Sequence, residues 1–239
     1  MKDWVAKQIL EENRLGYDRI AEKFSQTRKF PWHEFAFFKQ YIHPGDEVLD
    51  AGCGSGRLYG FFKEAGITYT GLDNSAELIN IAKKTYSKAQ FTVGDILTLP
   101  FSDNKFNVIF CIATLHHIPG KKLRDRVVKE FFRVLKPGGY LIMTNWNLLN
   151  LRWWPALLYA TFKKIIGQNH LDFGDVQKPW KNQYGDVQTR RYLHAFTKGE
   201  IKRLLGRHGF TIVKQWYTRK DVASNRYTGF NLPTIARKS

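Results

Sequence analysis

The stretch V-L-D-A-G-C-G-S-G-R-L-Y-G-F-F, from Val48 to Phe62, decides the reading of this chain. An apolar strand delivers Asp50, then glycine returns at alternate positions, Gly52, Gly54 and Gly56, before a helical pattern begins. Glycine accepts backbone conformations and close approaches that a Cβ blocks. A glycine-rich turn between strand and helix is a ligand cradle in open α/β sheets. The spacing here is G-x-G-x-G, not the G-x-G-x-x-G usual at a pyrophosphate. Asp50 adds a carboxylate within the turn, which suits the cationic amino end of an amino-acid-like ligand.

Outward from this turn, short apolar runs alternate with helical ones. EVLDAG, TYTGLD, QFTVGD, FNVIFCIA and GYLIMTN read as strands, and RLYGFFKEAG, SAELINIAKKTY and KKLRDRVVKEFFRVLKPGG as helices closed by Gly or Pro. That alternation implies a parallel sheet with helices on both faces, whose carboxyl ends converge on one crevice. Asp73, followed by Asn74, ends the second strand, and Asp95, followed by Ile96, ends the third. A carboxylate so placed can accept from both hydroxyls of a ribose, as Asp73 would, while Asp95 takes an adenine amino group and Ile96 packs on the ring. Ile112, on the fourth strand, completes the candidate cofactor contacts.

The expected architecture is therefore a Rossmann-like, doubly wound, mostly parallel seven-stranded sheet with one antiparallel edge strand and an N-terminal helical arm. At 239 residues and 43% hydrophobic content, one α/β domain is the natural partition. Residues 1–44 form the arm, with Trp4, Ile9, Leu10, Tyr17, Ile20, Ala21 and Phe24 at helical spacing. Residues 45–145 form the ligand-binding core, 146–196 an insert or lid, and 197–239 a closing helix and strands. Within the insert, Trp153, Trp154, Leu157, Leu158 and Phe162 read as a buried or partner-facing helix, followed by a polar loop.

A formal net charge of +17 points to a polyanionic partner, nucleic acid or an anionic membrane surface. Two cysteines, Cys53 and Cys111, exclude a disulfide framework and a Cys-based zinc site, and a reducing cytoplasm is the expected compartment. No secretory signal or spanning segment is evident, so no stable membrane insertion is expected, and without H-E-x-x-H or Cys₂His₂ spacing no metal is called for.

DAGCGSG, GLDNS, GDI and LKPGGYLI, in order from Glu47 to Asn145, resemble the serial motifs of class I S-adenosylmethionine-dependent methyltransferases. The flanks are more specific. Ala21 to Arg28 follow A-x-x-F-S-x-T-R, His116-His117 follow the fourth strand, and Arg191 to Glu200 follow R-Y-x-H-x-F-x-x-G-E. Together these resemble the tRNA methyltransferases that esterify 5-carboxymethyluridine at the wobble position. The likeness thins between Trp146 and Thr189. It implies S-adenosyl-L-methionine as donor, a tRNA anticodon loop as substrate and, since eukaryotic members work with a small zinc-binding activator protein, such a partner as well.

The chemistry that the likeness implies is undemanding. A carboxymethyl group, with a pKa of about 4 by analogy with Asp and Glu, is ionised at neutral pH and needs no general base. What remains is orientation. Arg28 is the candidate to grip the carboxylate, since a guanidinium presents a fixed fork, or else it is a surface arginine on a basic arm. His116 or His117 would orient the acceptor or bond the uracil, or else is a helix-entry histidine bonded to backbone. Arg190, Arg191 and His194 would contact phosphate or uridine, or else lie on a solvated loop. His33 and His43 read as loop histidines.

Lys23, Arg28, Lys29, Lys163, Lys164, Lys178, Lys181, Lys202, Arg203 and Arg207 spread positive charge over arm, insert and late helix, interleaved with Trp32, Trp153, Trp154, Trp180 and Tyr184. Exposed aromatics beside cations suit the stacking of unpaired bases. Two other readings stay open: a small-molecule methyltransferase acting on a quinone or metabolite acid, and a non-catalytic donor-binding or RNA-binding scaffold.

Overall fold

The computed structural model describes residues 1–239 except Lys29, Pro31, His33, Gln183 and Asp221. The arm cation Lys29 and the loop histidine His33 therefore lie outside the described residues. The chain opens with a long helix α1 (Asp3–Gln26) and a short turn of helix α2 (Phe35–Phe38). Then β1 (Glu47–Ala51), α3 (Arg57–Phe62), β2 (Thr68–Asp73), α4 (Ala76–Thr85), β3 (Gln90–Val93), β4 (Phe106–Ile112), α5 (Lys121–Val134) and β5 (Leu135–Trp146) alternate as the apolar runs require. The strands lie in the order β3, β2, β1, β4, β5, all parallel.

Side chains leave alternate faces of a strand, and the core divides accordingly. Leu49, Leu72, Ile109, Cys111, Leu141 and Met143 point to the α5 face, against Val127, Val128 and Phe131. Val48, Tyr69, Val108, Phe110 and Ile142 point the other way, against Phe38, Leu58, Phe62 and Ile79. Burial on both faces is what the near-continuous apolar runs of these strands indicate.

The carboxyl-terminal part departs from expectation in one respect. After α6 (Trp154–Ile165), β6 (Asp175–Lys181), β7 (Val187–His194) and α7 (Lys198–Gly206), the chain forms β8 (Phe210–Gln215), β9 (Tyr217–Arg219), β10 (Val222–Ser224) and β11 (Asn231–Lys238). The antiparallel strand β11 is not the edge: it lies between β5 and β8, and β9 and β10 bring the sheet to nine strands. Burial explains the order, because β11 is covered on both faces while most of β8 alternates toward solvent.

The insert also differs from its expected form. The stretch read as a polar loop is a hairpin of β6 and β7, closed by Asn182, whose Oδ1 accepts the N–H groups of Tyr184 and Asp186. Helix α6 forms as read, yet none of its residues is buried. Trp153, Leu157 and Ala160 pack toward Leu148, Val176 and Leu193, while Leu158 and Ile165 stay 68% and 71% exposed. Apolar residues occur on both sides of this helix and only one side is covered.

Helix α1 packs on β7 and on α4 and roofs the carboxyl ends of the strands. Its buried face is Val5, Ile9, Asn13, Gly16 and Ile20, a spacing of three and four residues, and Trp4 lies outside it. Asn13 is the polar member. Its Nδ2 donates to the His117 carbonyl at 3.2 Å, and its Oδ1 accepts the Tyr192 N–H at 3.1 Å. Asp18 accepts from Ser75 Oγ at 2.7 Å, fixing the helix over the end of β2. No described helix is long and apolar enough to cross a membrane.

Candidate active site

The carboxyl ends of β1, β2, β3 and β4, the roof α1 and the hairpin strand β7 enclose a cleft of about 1190 Å³, counting its open mouth. Part of its lining is glycine and carboxylate. Gly52, Gly54 and Gly56 have φ of 85°, 54° and 81°, the left-handed region that disfavours any side chain. A Cβ on Gly52 would run into the Thr114 side chain, and one on Gly56 would meet the Phe91 ring at 2.8 Å. Substituting Gly56 with Ala is expected to lower stability by about 1–2 kcal/mol through the left-handed backbone alone, read as a reduced urea midpoint at unchanged slope.

Asp50 and Asp73 are held in different ways. Tyr69 donates to Asp50 Oδ2 at 2.6 Å, yet burial pushes the carboxyl up to about 7, with the nearby Asp73 charge adding to the rise and Arg57 opposing it. Asp73 accepts the Gly54 N–H on one oxygen at 2.8 Å and the Ser75 N–H on the other at 3.0 Å, tying the glycine turn to the end of β2. Each carboxylate oxygen retains capacity for a further donor. Asp95 is exposed at the rim, with Oδ1 accepting the Leu97 N–H at 2.8 Å, and the buried Ile96 and Ile112 supply an apolar wall. Ala113, between Ile112 and Thr114, carries a φ of 54°, local strain of the kind found at ligand sites.

The cleft also has a cationic and aromatic lining, Tyr17, Phe24, Arg28, His117, Trp146 and Arg191, and Phe24 lies 3.8 Å from where a Cβ on Gly54 would stand. Arg28 lies over the Phe24 ring at 5.0 Å, and Arg191 over Trp146 at 5.5 Å and Trp180 at 4.7 Å. The Tyr192 carbonyl can only accept, so His117 Nδ1, 2.9 Å away, carries the proton, and Nε2 accepts from the Tyr17 hydroxyl at 3.0 Å. Burial, with the Arg191 charge beside it, pushes His117 down to about 4, so it is neutral at pH 7.

A family model described as a methyltransferase domain matches residues 49–143. A protein of Encephalitozoon cuniculi whose name calls it a methyltransferase is 30% identical over 198 residues, 82% of this chain and 86% of that protein. A solved SAM-dependent methyltransferase of Methanosarcina mazei has a TM-score of 0.68 at 28% identity, covering 84% of this chain and 96% of that one. This chain belongs to the S-adenosylmethionine-dependent methyltransferases.

The methyltransferase is also similar to two relatives named tRNA (carboxymethyluridine(34)-5-O)-methyltransferase. That of Schizosaccharomyces pombe is 27% identical over 223 residues, 86% of this chain and 91% of that protein. That of Arabidopsis thaliana is 35% identical over 130 residues, 54% of this chain but 31% of that protein, so the chain spans less than a third of the plant relative. At 20% identity and a TM-score of 0.65, covering 95% of this chain and 97% of the other, the fold is shared with a chain from the complex between the Haloferax volcanii Trm112 methyltransferase activator and a methyltransferase.

S-adenosylmethionine is the methyl donor of this family, and the cleft fits it: a bare glycine cradle, the acids Asp50, Asp73 and Asp95, and an apolar wall. Of the residues singled out in the sequence, Asp50, Gly52, Gly54, Asp73, Asn74, Asp95, Ile96, Ile112, Arg28, His117 and Arg191 line the cleft, while Gly56 shapes the turn from behind. Three do not reach it. His116 is fully buried behind the wall, its Nδ1 accepting the Trp146 N–H at 3.4 Å. Arg190 is exposed, on the face of β7 opposite Arg191. His194 is buried with both nitrogens engaged, Nδ1 with Asp175 at 2.7 Å and Nε2 with Glu200 at 2.8 Å. Burial opposes its protonation, but those two carboxylates outweigh it and raise its pKa. In the structure His194 joins β7 to β6 and α7 through these two bonds. Arg57, Tyr17, Asn13, Thr114 and Trp146 line the cleft without having been singled out as site residues.

Proposed function

We propose that this methyltransferase esterifies the carboxylate of a 5-carboxymethyluridine at the wobble position of tRNA. The observation carrying this reading is the pair Arg28 and Arg191, which line the same cleft as the donor acids and have no ion-pair partner among the described residues. Unpaired, largely buried guanidinium groups call for an anionic ligand.

In this reading Asp50 receives the donor's ammonium, Asp73 and Asn74 the ribose hydroxyls, and Asp95 the adenine amino group between Ile96 and Ile112. The donor supplies a methyl group on a sulfonium that is already activated by its charge. Arg28 holds one acceptor oxygen and leaves the other free. His117, neutral and bonded at both nitrogens, serves as a rigid wall that keeps Tyr17 in place and abstracts no proton. The relatives named for carboxymethyluridine support the acceptor, the surplus of cations supports RNA, and the Haloferax neighbour supports an activator partner.

The test is transfer from labelled S-adenosylmethionine to an anticodon stem-loop carrying 5-carboxymethyluridine, with and without a Trm112-type activator. Mass spectrometry of the digested RNA is expected to find the methyl ester. Turnover confined to small acids, with the stem-loop untouched in both arms, would send the chain to the small-molecule reading.

A further inference from the structure

The hairpin that walls the cleft carries a charge arrangement that folding does not call for. Lys178 on β6 lies directly opposite Arg191 on β7 in the antiparallel register. Like charges so placed oppose strand pairing. Both cations sit against one indole, Lys178 Nζ and the Arg191 guanidinium each 5.5 Å from the Trp146 ring centre. Each also lies over a second indole, Trp153 at 4.7 Å for Lys178 and Trp180 at 4.7 Å for Arg191. Arg191 Nε and Nη1 are buried without an acceptor among the described residues. Burial and the charges of Arg191, Arg152 and Arg28 hold the Lys178 ammonium below the usual lysine range.

A single acceptor carboxylate answers one of these charges, and Arg28 stands ready for it. Lys178, beside the cleft, and Arg191, in its lining, are left over, and the donor, with a sulfonium and an ammonium against one carboxylate, adds net positive charge. A second anionic group on the acceptor would answer the charge on the hairpin side. In a nucleotide chain that group is the phosphodiester next to the modified residue. We propose that Lys178 and Arg191 together bind a backbone phosphodiester adjoining the methyl-accepting nucleotide, so that the acceptor is taken as part of a strand and not as a free nucleoside. This rests on the carboxymethyluridine reading for the acceptor, while the phosphodiester site itself can be read without it.

The test compares 5-carboxymethyluridine nucleoside, a trinucleotide with that residue in the centre, and the same trinucleotide with a methylphosphonate replacing one flanking phosphodiester. For the wild-type chain, kcat/KM is expected to favour the charged trinucleotide over the nucleoside, with the preference weakening as salt is raised. Lys178→Met should cut that preference about tenfold, Lys178→Arg should retain most of it, and one methylphosphonate position should abolish the difference between wild type and Lys178→Met. Equal slowing of nucleoside and trinucleotide by Lys178→Met, or no methylphosphonate position that removes its effect, overturns the proposal. If no form of carboxymethyluridine is methylated, the acceptor reading fails. The phosphodiester site is then decided by fluorescence anisotropy with a labelled, unmodified anticodon stem-loop. About tenfold weaker binding by Lys178→Met at low salt upholds it, and unchanged affinity overturns it.

Discussion

Arg28→Met is expected to lower kcat/KM for a carboxymethyluridine acceptor by on the order of 100-fold, with little change in affinity for S-adenosylmethionine. The magnitude follows from the loss of hydrogen bonds to a charged group, about 1.5–3 kcal/mol, at 1.4 kcal/mol per tenfold. The selectivity follows from the contacts of Arg28, none of which is a donor acid. Arg28 leaves the chain just past the end of α1, where its N–H donates to the Ser25 carbonyl at 2.9 Å, and its guanidinium rests on Phe24 and forms no ion pair with Asp50, Asp73 or Asp95. Burial lowers its pKa, the Tyr17 hydroxyl opposes that, and Arg191 adds to it, but a guanidinium remains charged throughout. Methionine keeps the apolar stem on Phe24 and removes the fork. Lysine, a point charge on a flexible stem, should recover only part of the rate. Steady-state kinetics beside calorimetry with S-adenosylhomocysteine separates the cases. A proportional loss of cofactor affinity would move Arg28 into the donor site, and unimpaired turnover would remove it from the reaction.

What the sequence discloses about this site depends on how far apart the cooperating residues lie along the chain. The glycine turn and the acids at the ends of β1, β2 and β3 are each written in half a dozen consecutive residues, so local pattern suffices for Asp50, Asp73 and Asp95. The roof is different. Asn13 bonds both the His117 carbonyl and the Tyr192 N–H, joining positions 104 and 179 residues away, and no periodicity records that. The polar Asn13 and the small Gly16 even interrupt the apolar stripe of α1 that would announce its buried face. The hairpin was legible in principle. Strand alternation places Arg191 and Leu193 on one face of β7 and Arg190, Tyr192 and His194 on the other, which separates the cleft residue from its neighbours. The motif R-Y-x-H keeps Arg191 and His194 together in sequence, but one lines the cleft and the other clamps Asp175 and Glu200. The same limit applies to His116 and His117, adjacent in the chain with rings 4.5 Å apart, of which only His117 lines the cleft.

Asp50 makes the strongest pH-dependent prediction. Without donor its carboxyl titrates near 7, raised from an ordinary 3.8 by burial above all. An acid raised in the folded state binds a proton that the unfolded chain has already released. This group's contribution to stability is therefore full below about pH 3.8 and is lost as pH rises toward 7, an effect on the order of a few kcal/mol. Donor binding works in the opposite sense. An ammonium beside Asp50 favours the carboxylate, so association below pH 7 must expel the proton. Affinity should rise about tenfold per pH unit up to roughly 7, level off, and weaken above about 8 as the donor's own amine deprotonates. Calorimetry in two buffers of different ionisation enthalpy should register close to one proton released per donor bound near pH 6. Asp50→Asn should abolish that release and the slope, weaken binding at pH 7.5 by on the order of 100-fold through loss of a charged contact, and yet raise the melting temperature of the donor-free chain at pH 8. A wild-type affinity flat between pH 5.5 and 7, or the same slope in Asp50→Asn, would show that the ammonium is received elsewhere. The opposed signs on stability and affinity are the informative part, because a merely structural Asp50 would move both together.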